Sequence, residues 1–239
     1  MNKKTKTTHE FALYVPELEK DKPTFSLTTP HLIHRISSVL RLKEEDELVL
    51  FTQEFNSRVR LTKLTKKEVT GVVLETSANI VLTPFITVFL PLLKREALEA
   101  ALYACVEVGV NEIKLITTKK SGRPKNDFER LSRIIISAAE QSKNFAFPKL
   151  HKPSQLKDAV VQLGQAVRIF ADPAGSSIKP FIEKGARSFV LVVGPEGDLT
   201  NDEKEYLKSE SFTFCHLTPT ILRSPQAITV AGGILRSLL

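Results

Sequence analysis

The sequence of 239 residues has no tryptophan, one methionine and only two cysteines. Cys105 and Cys215 belong to no Cys-x-x-Cys pair, so we expect buried, reduced thiols of the kind that a reducing cytoplasm maintains. The five histidines are not at ligand spacing, and the sequence predicts no metal site. The longest apolar stretch, residues 80–93, contains two prolines and is too short to cross a bilayer. Residues 1–10 are polar and basic, so we predict a cytoplasmic protein without a secretory signal or a membrane span.

Positive charge is in excess, with a formal net charge of +7 and an isoelectric point of about 9.4. An excess of this kind favours an anionic partner. Much of it lies between residues 114 and 133, in Lys114, Lys119, Lys120, Arg123, Lys125, Arg130 and Arg133. Such a run is either a solvated loop and helix face or a set of phosphate contacts, whose strength falls steeply with salt. Phe128 is the only aromatic residue within it, which does not support stacking of bases on this stretch.

The first third of the chain contains short segments rich in β-branched and aromatic residues, which are typical of strands. We predict strands over residues 10–15, 47–52, 58–65 and 69–75. One helix interrupts them, because Thr29 can cap a helix and Pro30 suits its first position. Its apolar stripe consists of Leu32, Ile33, Ile36, Val39 and Leu40. Several short strands with one helix predict a small barrel.

After residue 78 apolar strands alternate with amphipathic helices, a pattern typical of a parallel sheet with helical crossovers. The pattern predicts an N-terminal domain over residues 1–77 and an α/β domain over residues 78–239. Strands are predicted over residues 86–90, 112–117, 167–171, 188–193 and 213–217. Helices are predicted over residues 94–108, 128–144, 154–163, 200–209 and 224–238.

Residues 189–203 predict a strand, a tight turn and a helix. The apolar strand stops at Gly194, and Gly194 and Gly197 lack the side-chain bulk that hinders a tight turn. Thr200 and Glu203 form a capping box that fixes the helix start. A loop at the carboxyl end of a parallel strand is where open α/β sheets bind ligands, although a plain connection would have the same composition. No Gly-Lys-Ser or Gly-Lys-Thr follows, so this is not a P-loop.

Residues 214–228 predict a second strand, loop and helix. Ser224 would cap the helix, and Pro225 would lie in its first turn. Arg223 therefore lies beside a helix N-terminus, where free N–H groups and the helix dipole already attract anions. Taken alone, this segment is better explained by a structural role, with Arg223 as a surface cation and Ile221 and Leu222 as core residues.

Together, the two segments resemble the SPOUT class of RNA methyltransferases, and within it the uridine-N3 methyltransferases of 16S ribosomal RNA. The matching pattern is a strand, Gly194-Pro-Glu-Gly197 and a helix, followed by a strand, Leu217-x-Pro-x-Ile-Leu-Arg223 and a C-terminal helix. Further matching stretches lie at residues 31–51, 94–113 and 138–142, so the resemblance covers nearly the whole chain.

The resemblance implies an α/β fold in which an N-terminal PUA-like β-barrel precedes a C-terminal SPOUT domain with a deep trefoil knot. Such a knot is an exception to the rule that chains do not thread loops. The resemblance also implies a homodimer that holds S-adenosylmethionine in the knot and methylates N3 of a uridine in 16S ribosomal RNA. The cofactor would contact three loops, formed by Phe170 and Ala171, by Val193, Gly194, Pro195, Glu196 and Gly197, and by Leu217, Ile221, Leu222 and Arg223.

The chain departs from the family pattern at four positions. Asp198 stands where a second glycine is usual, and it would place a negative charge near the cofactor. Pro225 and Gln226 stand where acidic and threonine residues are usual, and Asn144 stands where an arginine is usual.

Methyl transfer from a sulfonium donor requires no metal and no covalent enzyme intermediate. Because N3 of uridine must lose its proton, negative charge develops on the uracil oxygens. Arg223 is our candidate for stabilising that charge, since it is always cationic and has several donors. Glu196 would orient the base or accept its proton, or else only support the turn. N3 lies on the base-pairing edge, so the target uridine must be unpaired or extruded.

Phosphate contacts are expected from seven cations, Arg35, Arg41, Lys43, Lys119, Lys120, Arg123 and Lys125. Three other functions remain open from the sequence. One is methylation of a ribose 2′-O, and another is RNA binding or ribosome assembly without catalysis. The third is nucleotide binding, with the turn over residues 194–197 holding a phosphate.

Overall fold

Two units make up the chain, residues 1–80 and residues 81–239. The computed structural model describes residues 10–122, 128–182 and 186–237. Each unit contains its own cluster of buried apolar side chains. The division lies a few residues beyond the boundary that the change in sequence pattern predicts.

The N-terminal unit contains a five-stranded sheet. Its strands are β1 (Ala12–Tyr14), β2 (Thr24–Leu27), β3 (Glu47–Phe51), β4 (Phe55–Leu64) and β5 (Val69–Ala78). They pair in the order β1-β3-β4-β5-β2, with β1 parallel to β3 and the other pairs antiparallel. Four of these strands match the predicted ones. The sequence did not indicate β2, a four-residue strand at the edge of the sheet. An edge strand pairs on one side only, so few of its residues need to be apolar.

The predicted helix of this unit is present but changes type. Helix α1 (Pro30–His34) continues as a π-helical segment, Arg35–Val39, in which the Leu40 N–H donates to the Arg35 carbonyl at 2.8 Å. A π-helical turn shifts the following residues around the helix axis, because each bond spans five residues. The predicted apolar stripe is therefore wrong at Val39, which is 60% exposed. Thr29 occupies the predicted N-cap position, but its hydroxyl makes no capping hydrogen bond and donates to Glu17 at 3.1 Å.

The second unit is a parallel α/β sheet, as predicted. Its strands are β6 (Phe85–Pro91), β7 (Glu112–Thr117), β8 (Lys149–Gln155), β9 (Val167–Ser177), β10 (Ser188–Val192) and β11 (Thr213–His216). All pairs are parallel, in the order β11-β9-β10-β6-β7-β8. The sequence did not indicate β8, because this edge strand is polar and contains Pro153, which cannot donate to a ladder.

Six helices lie in the described part of this unit, of which the first five connect strands and the last follows β11. They are α2 (Arg95–Glu107), α3 (Phe128–Ser142), α4 (Leu156–Val161), α5 (Lys179–Ile182), α6 (Asn201–Ser209) and α7 (Ser224–Arg236). The predicted helix over residues 154–163 begins later, because residues 154 and 155 belong to β8. The predicted end of α7 at residue 238 lies outside the described residues. Short α5 was not predicted.

The helices form two groups around the sheet. Helix α2 packs against α3 and α7, while α4 and α6 contribute Leu156 and Leu207 to a cluster that contains Phe89 and Phe170 of the sheet. Both cysteines are buried and free, as predicted. Burial raises the pKa of the Cys215 thiol to about 11, so this thiol stays protonated at neutral pH.

Candidate functional site

Three loops of neighbouring strands lie at the carboxyl edge of the parallel sheet. We call residues 171–175 the first loop, residues 193–198 the second loop and residues 217–223 the third loop. They belong to β9, β10 and β11, which lie side by side in the order β11-β9-β10. Because parallel strands all end at the same edge, the chain brings these loops together although they are far apart in sequence.

The first loop is an excursion within β9. Phe214 of β11 pairs with Phe170, but the next residue, Cys215, pairs with Ser176, so residues 171–175 leave the ladder. The excursion is closed at Gly175, where a Cβ would collide with the backbone of Phe214 and Cys215. Only glycine permits this close approach. The loop therefore projects from the sheet edge at the position of the predicted cofactor residue Ala171.

The second loop turns at an unexpected residue. The Asp198 N–H donates to the Pro195 carbonyl at 2.9 Å, and Asp198 has a φ of 59°, in the left-handed region. Gly194 and Gly197 do not have positive φ angles. A Cβ at either position would lie 3.3 Å from a neighbouring side chain, Asp198 or Lys120, so the turn leaves little room for side-chain bulk there. Aspartate tolerates the left-handed region better than most residues, because its side chain bonds locally to the backbone. Here the Asp198 carboxylate accepts the Leu199 N–H at 2.7 Å.

Other elements of the sheet edge hold the second loop in place. The Glu196 carboxylate accepts the backbone N–H of Lys94, at the start of α2, at 3.2 Å. The Lys120 ammonium donates to the Gly197 carbonyl at 2.9 Å. The helix that follows begins at the predicted capping box, in which Thr200 N–H donates to Glu203 at 2.9 Å. Glu196 thus has a structural contact, one of the two roles predicted for it.

The first residue of α7, directly after the third loop, is hydrogen-bonded to the second loop. The Ser224 hydroxyl donates to the Gly194 carbonyl at 2.7 Å. The prediction that Ser224 caps α7 is therefore wrong, because its hydroxyl proton is used between the loops and Arg223 occupies the N-cap position. The Arg223 side chain is exposed and has no hydrogen bond or ion pair with the described residues. Its charge is thus available to a ligand.

A small pocket of about 40 Å³ lies between the first and third loops. Its lining residues are Ala171, Asp172, Pro173, Leu217, Thr218, Thr220, Leu222 and Ala227. Three of them, Ala171, Leu217 and Leu222, are predicted cofactor residues. Phe170 and Val193 are buried, and the Phe170 ring packs edge-on against Phe214 at 4.9 Å, so these two would offer only backbone groups. Ile221 is 83% exposed beside the pocket.

Lys204 of α6 links the first loop to the second. Its ammonium lies 2.8 Å from the Asp172 carboxylate and 2.7 Å from the Asp198 carboxylate. Burial by itself raises the pKa of Asp172, but hydrogen bonds from Lys204 and the Ala174 N–H outweigh burial and hold that pKa below its ordinary value. Burial likewise lowers the pKa of Lys204, and the two carboxylates outweigh it and raise that pKa. Asp172 and Lys204 are therefore both charged at neutral pH.

The predicted phosphate-binding cations lie in both units. Arg41 and Lys43 of the N-terminal unit are exposed, and Arg35 is half-buried. In the second unit, Lys119 pairs with Asp202 at 2.8 Å, and Lys120 reaches the second loop. Arg123 and Lys125 lie outside the described residues.

Sequence reasoning did not identify three residues of the site, Asp172, Lys204 and Ser224. Asp172 follows an apolar strand, which is a usable signal for a loop residue at a sheet edge. Lys204 gave no signal, because a lysine in the first turns of a polar helix is normally a solvated residue. Only the fold shows that it faces two carboxylates.

Membrane-spanning helices and metal-binding clusters are both absent from the described ranges. No helix there is long and apolar enough to cross a membrane. No group of three or more His, Cys, Asp or Glu side chains in those ranges is arranged to hold a metal ion.

Known proteins are similar to this chain over most of its length. Residues 82–236 match the model of the RNA methyltransferase domain family. The chain is 29% identical to ribosomal RNA small subunit methyltransferase E of Bacillus subtilis, covering 90% of this chain and 91% of that protein. It is 26% identical to the protein of the same name from Rickettsia conorii, covering 95% of both.

The fold is also similar to that of a solved structure. This is the crystal structure of ribosomal RNA small subunit methyltransferase E from Neisseria gonorrhoeae bound to S-adenosyl methionine. The TM-score is 0.87 at 23% identity, and the match covers 96% of this chain and 98% of the other. The two proteins therefore share a fold along nearly their whole length.

Proposed function

Because the chain belongs to the RNA methyltransferase domain family, we propose that it methylates N3 of a uridine in 16S ribosomal RNA, with S-adenosylmethionine as the donor. The relatives named above act, by their names, on RNA of the small ribosomal subunit. The atom that receives the methyl group follows from the resemblance of the two loop motifs to uridine-N3 methyltransferases.

One observation supports this proposal more than any other. The second and third loops, which contain the two motifs, are joined by the bond from Ser224 to Gly194, and the third loop borders a pocket with the first. Three loops that are distant in sequence thus form one site at the edge where parallel sheets bind ligands. A chance match of motifs would not require them to be neighbours.

The chemistry of the pocket fits this cofactor. Ala171, Leu217 and Leu222 offer apolar surface to an adenine ring, and Asp172 offers a carboxylate to a cation. A pocket of about 40 Å³ holds only part of such a molecule. The remainder would lie along the exposed third loop, where Ile221 would cover it. When bound, S-adenosylmethionine supplies an electrophilic methyl group on a sulfonium sulfur.

The protein would align the two substrates and stabilise charge. We assign Arg223 to the uracil oxygens, because its exposed guanidinium is always cationic and has several donors. In a site from which water is excluded, one such donor contributes about 10²–10³-fold to a rate. Glu196 would position the second loop through its bond to the Lys94 N–H. In this assignment the N3 proton leaves to another base or to water.

The RNA would be held by both units. We propose that the N-terminal unit is a PUA-like RNA-binding barrel, in which the exposed Arg41 and Lys43, together with Arg35, contact phosphates. Lys119 and Lys120 would add contacts beside the second loop, with Arg123 and Lys125 from the same basic run. The target uridine would be unpaired or extruded, because N3 is inaccessible in a base pair.

The resemblance supports three finer proposals. The C-terminal unit would contain a deep trefoil knot through which α7 passes, and two copies would form a homodimer. The protein would act in the cytoplasm, where ribosomal RNA is assembled into ribosomal subunits. We propose these properties together, since the same motifs imply all of them.

The direct test is methylation of 16S ribosomal RNA by the purified chain, followed by mass spectrometry of nucleosides. We expect 3-methyluridine to form only with S-adenosylmethionine present. Arg223→Ala should reduce single-turnover methyl transfer by about 10²–10³-fold. The dissociation constant of this variant for the cofactor, measured by calorimetry, should change by less than about threefold, since Arg223 acts on the uracil.

Other products would identify the rival functions. A 2′-O-methylated nucleoside would replace the uridine-N3 assignment with ribose methylation. Failure to bind S-adenosylmethionine would leave an RNA-binding protein without catalysis, and competition by ATP would favour a nucleotide site. Equal losses of binding and transfer in Arg223→Ala would assign Arg223 to the cofactor or to folding.

A further inference from the structure

Asp172, Lys204 and Asp198 form one connected group of charges, which we call the Asp–Lys–Asp bridge. The Lys204 side chain is 22% exposed and contacts both carboxylates within 2.8 Å. It also lies 5.6 Å from the centre of the Phe170 ring. Helix α6, fixed by its capping box, holds Lys204 in this position.

The bridge reaches the pocket through Asp172. Among the pocket-lining residues in the described part of the chain, Asp172 is the only charged one. Its side chain is 8% exposed, whereas that of Asp198 is 56% exposed. A carboxylate with so little water around it interacts more strongly with a ligand charge than an exposed carboxylate does.

The bridge has a net charge of −1, since two carboxylates share one ammonium. Lys208, one turn further along α6, also acts on Asp172, but it pairs with Glu205 at 2.8 Å. The wall of the pocket is therefore negative, in a chain whose net charge is +7. A negative wall does not attract the phosphates of RNA, so it needs another explanation.

We propose that the Asp–Lys–Asp bridge makes the site bind S-adenosylmethionine, which has a positively charged sulfur, more tightly than the product S-adenosylhomocysteine, whose sulfur is neutral. This inference rests on the proposed methyltransferase function. In the transfer, the bond from sulfur to the methyl carbon breaks, the bond from uridine N3 to that carbon forms, and the electron pair stays on sulfur. The N3 proton leaves to a base. S-adenosylmethionine, with a net charge of +1, becomes S-adenosylhomocysteine, which is neutral overall.

A negative wall therefore binds the donor more tightly than the product and favours release of the product after each turnover. The preference is electrostatic, so a substitution that makes the bridge more negative should increase it and one that makes the bridge less negative should decrease it. A residue that only supports the loops would change the binding of both ligands by the same factor. The ratio of the two dissociation constants separates these roles.

The experiment measures by calorimetry the dissociation constants of S-adenosylmethionine and S-adenosylhomocysteine for the full chain. Asp172→Asn, which keeps the shape of the side chain, should reduce the preference for the donor by about tenfold, as expected for a nearly buried charge. Asp198→Asn should reduce it by about twofold, because water screens that carboxylate. Lys204→Met should increase the preference, since it leaves two unneutralised carboxylates.

Glu107→Gln provides the matched control. It removes one exposed carboxylate at the end of α2, outside the bridge and on a different helix from Lys208. The donor preference should stay unchanged in this variant. Thermal unfolding of every variant shows whether the fold is kept. If Asp172→Asn does not fold, the expected decrease of the donor preference in Asp198→Asn and its expected increase in Lys204→Met still test the proposal.

Two results would overturn the proposal. A donor preference that is the same in Asp172→Asn as in the unchanged chain would remove the electrostatic role, and so would a fall of the preference in both Asp198→Asn and Lys204→Met. Absence of binding of either ligand to the unchanged chain would instead contradict the proposed function itself. The two failures are thus distinguishable.

Discussion

Asp198 occupies a backbone conformation that most side chains avoid, and three contacts hold it there. Its φ is 59°, and the energetic cost of this conformation is offset by the hydrogen bond from the Leu199 N–H, the turn bond to the Pro195 carbonyl and the ion pair with Lys204. In the family that the sequence resembles, glycine is usual at this position, and the left-handed backbone gives the physical reason. The chain keeps the turn without glycine by adding a charge, and that charge becomes part of the bridge at the pocket.

The ion pair of Asp172 predicts a pH dependence of stability. Its pKa is lower in the folded chain than in the unfolded one, so its stabilisation is present above pH 4 or so and is lost as the pH falls through the folded value. At pH 6, Asp172→Asn should lower the free energy of unfolding by about 2 kcal/mol, the typical loss of a hydrogen bond to a charged group. Urea unfolding measures this difference.

The difference between the two proteins should shrink as the pH is lowered, because the carboxyl of the unchanged chain then becomes neutral too. Glu19→Gln is the control, since it removes an exposed ion pair with Lys22 and should cost less than about 0.5 kcal/mol. A difference that stays constant down to pH 2 would show that the substitution acts through packing rather than charge.

At the scale of elements, the strands and helices that the sequence indicated best are those with a regular burial period. Strand β7 has the predicted bounds, residues 112–117, and α6 begins directly after the predicted cap Thr200. The two strands that the sequence did not indicate, β2 and β8, lie at sheet edges. Edge strands are paired on one side only, so they carry less apolar signal, and β8 tolerates a proline.

Helix α7 is fastened to the sheet by Arg236, a half-buried arginine without a carboxylate partner among the described residues. It donates to the Val108 and Gly109 carbonyls, to the Pro84 carbonyl at 2.6 Å and to the Asn111 side chain at 2.9 Å. Burial lowers its pKa, although it remains protonated. Nearby, Gly232 of α7 lies so close to Val108 that a Cβ there would collide with it.

Removing this arginine should destabilise the second unit. Arg236→Met keeps most of the apolar stem but leaves several carbonyl acceptors without a donor, so we expect a loss of about 2–4 kcal/mol in the free energy of unfolding. Arg95→Met is the matched control, because Arg95 is 75% exposed and its pair with Glu99 should contribute less than about 0.5 kcal/mol. Equal losses in the two variants would contradict a fastening role for Arg236.

At the scale of the whole molecule, charge is divided between surface and site. The chain has a net charge of +7, yet the pocket wall formed by the bridge is negative. The positive surface suits the phosphates of RNA, and the negative wall suits a small cation. Opposite charges thus serve the two substrates of the proposed reaction.

RNA binding should therefore depend steeply on salt. For single-stranded RNA, log K should fall with log salt with a slope of about −0.7 for each phosphate that is neutralised. Replacing Arg41 and Lys43 together with glutamine should make the slope shallower by about 1.4. Fluorescence anisotropy over a salt series measures both slopes.

Lys66 and Lys67, in the turn between β4 and β5, supply the comparison. Their double replacement by glutamine removes the same charge from the same unit, outside the proposed contact set, and should leave the slope unchanged. An equal change of the salt slope in both double variants would show that the slope reflects net charge alone, and it would contradict the assignment of Arg41 and Lys43 as phosphate contacts.

The sequence by itself determined the α/β class, most strand and helix bounds of the second unit, the capping box and the two motif loops. These follow from local rules, because burial on one or two faces sets the period of apolar residues and a cap needs residues only three positions apart. Cys105 and Cys215 were likewise identified as buried thiols from their apolar surroundings.

Only the tertiary structure decided how the loops come together. The bond from Ser224 to Gly194 and the contacts of Lys204 with Asp172 and Asp198 join residues that are distant in sequence. The left-handed turn at Asp198 and the π-helical segment before Leu40 also depend on packing around them. A local pattern records what each segment can form, whereas the partner of a polar group is chosen by the fold as a whole.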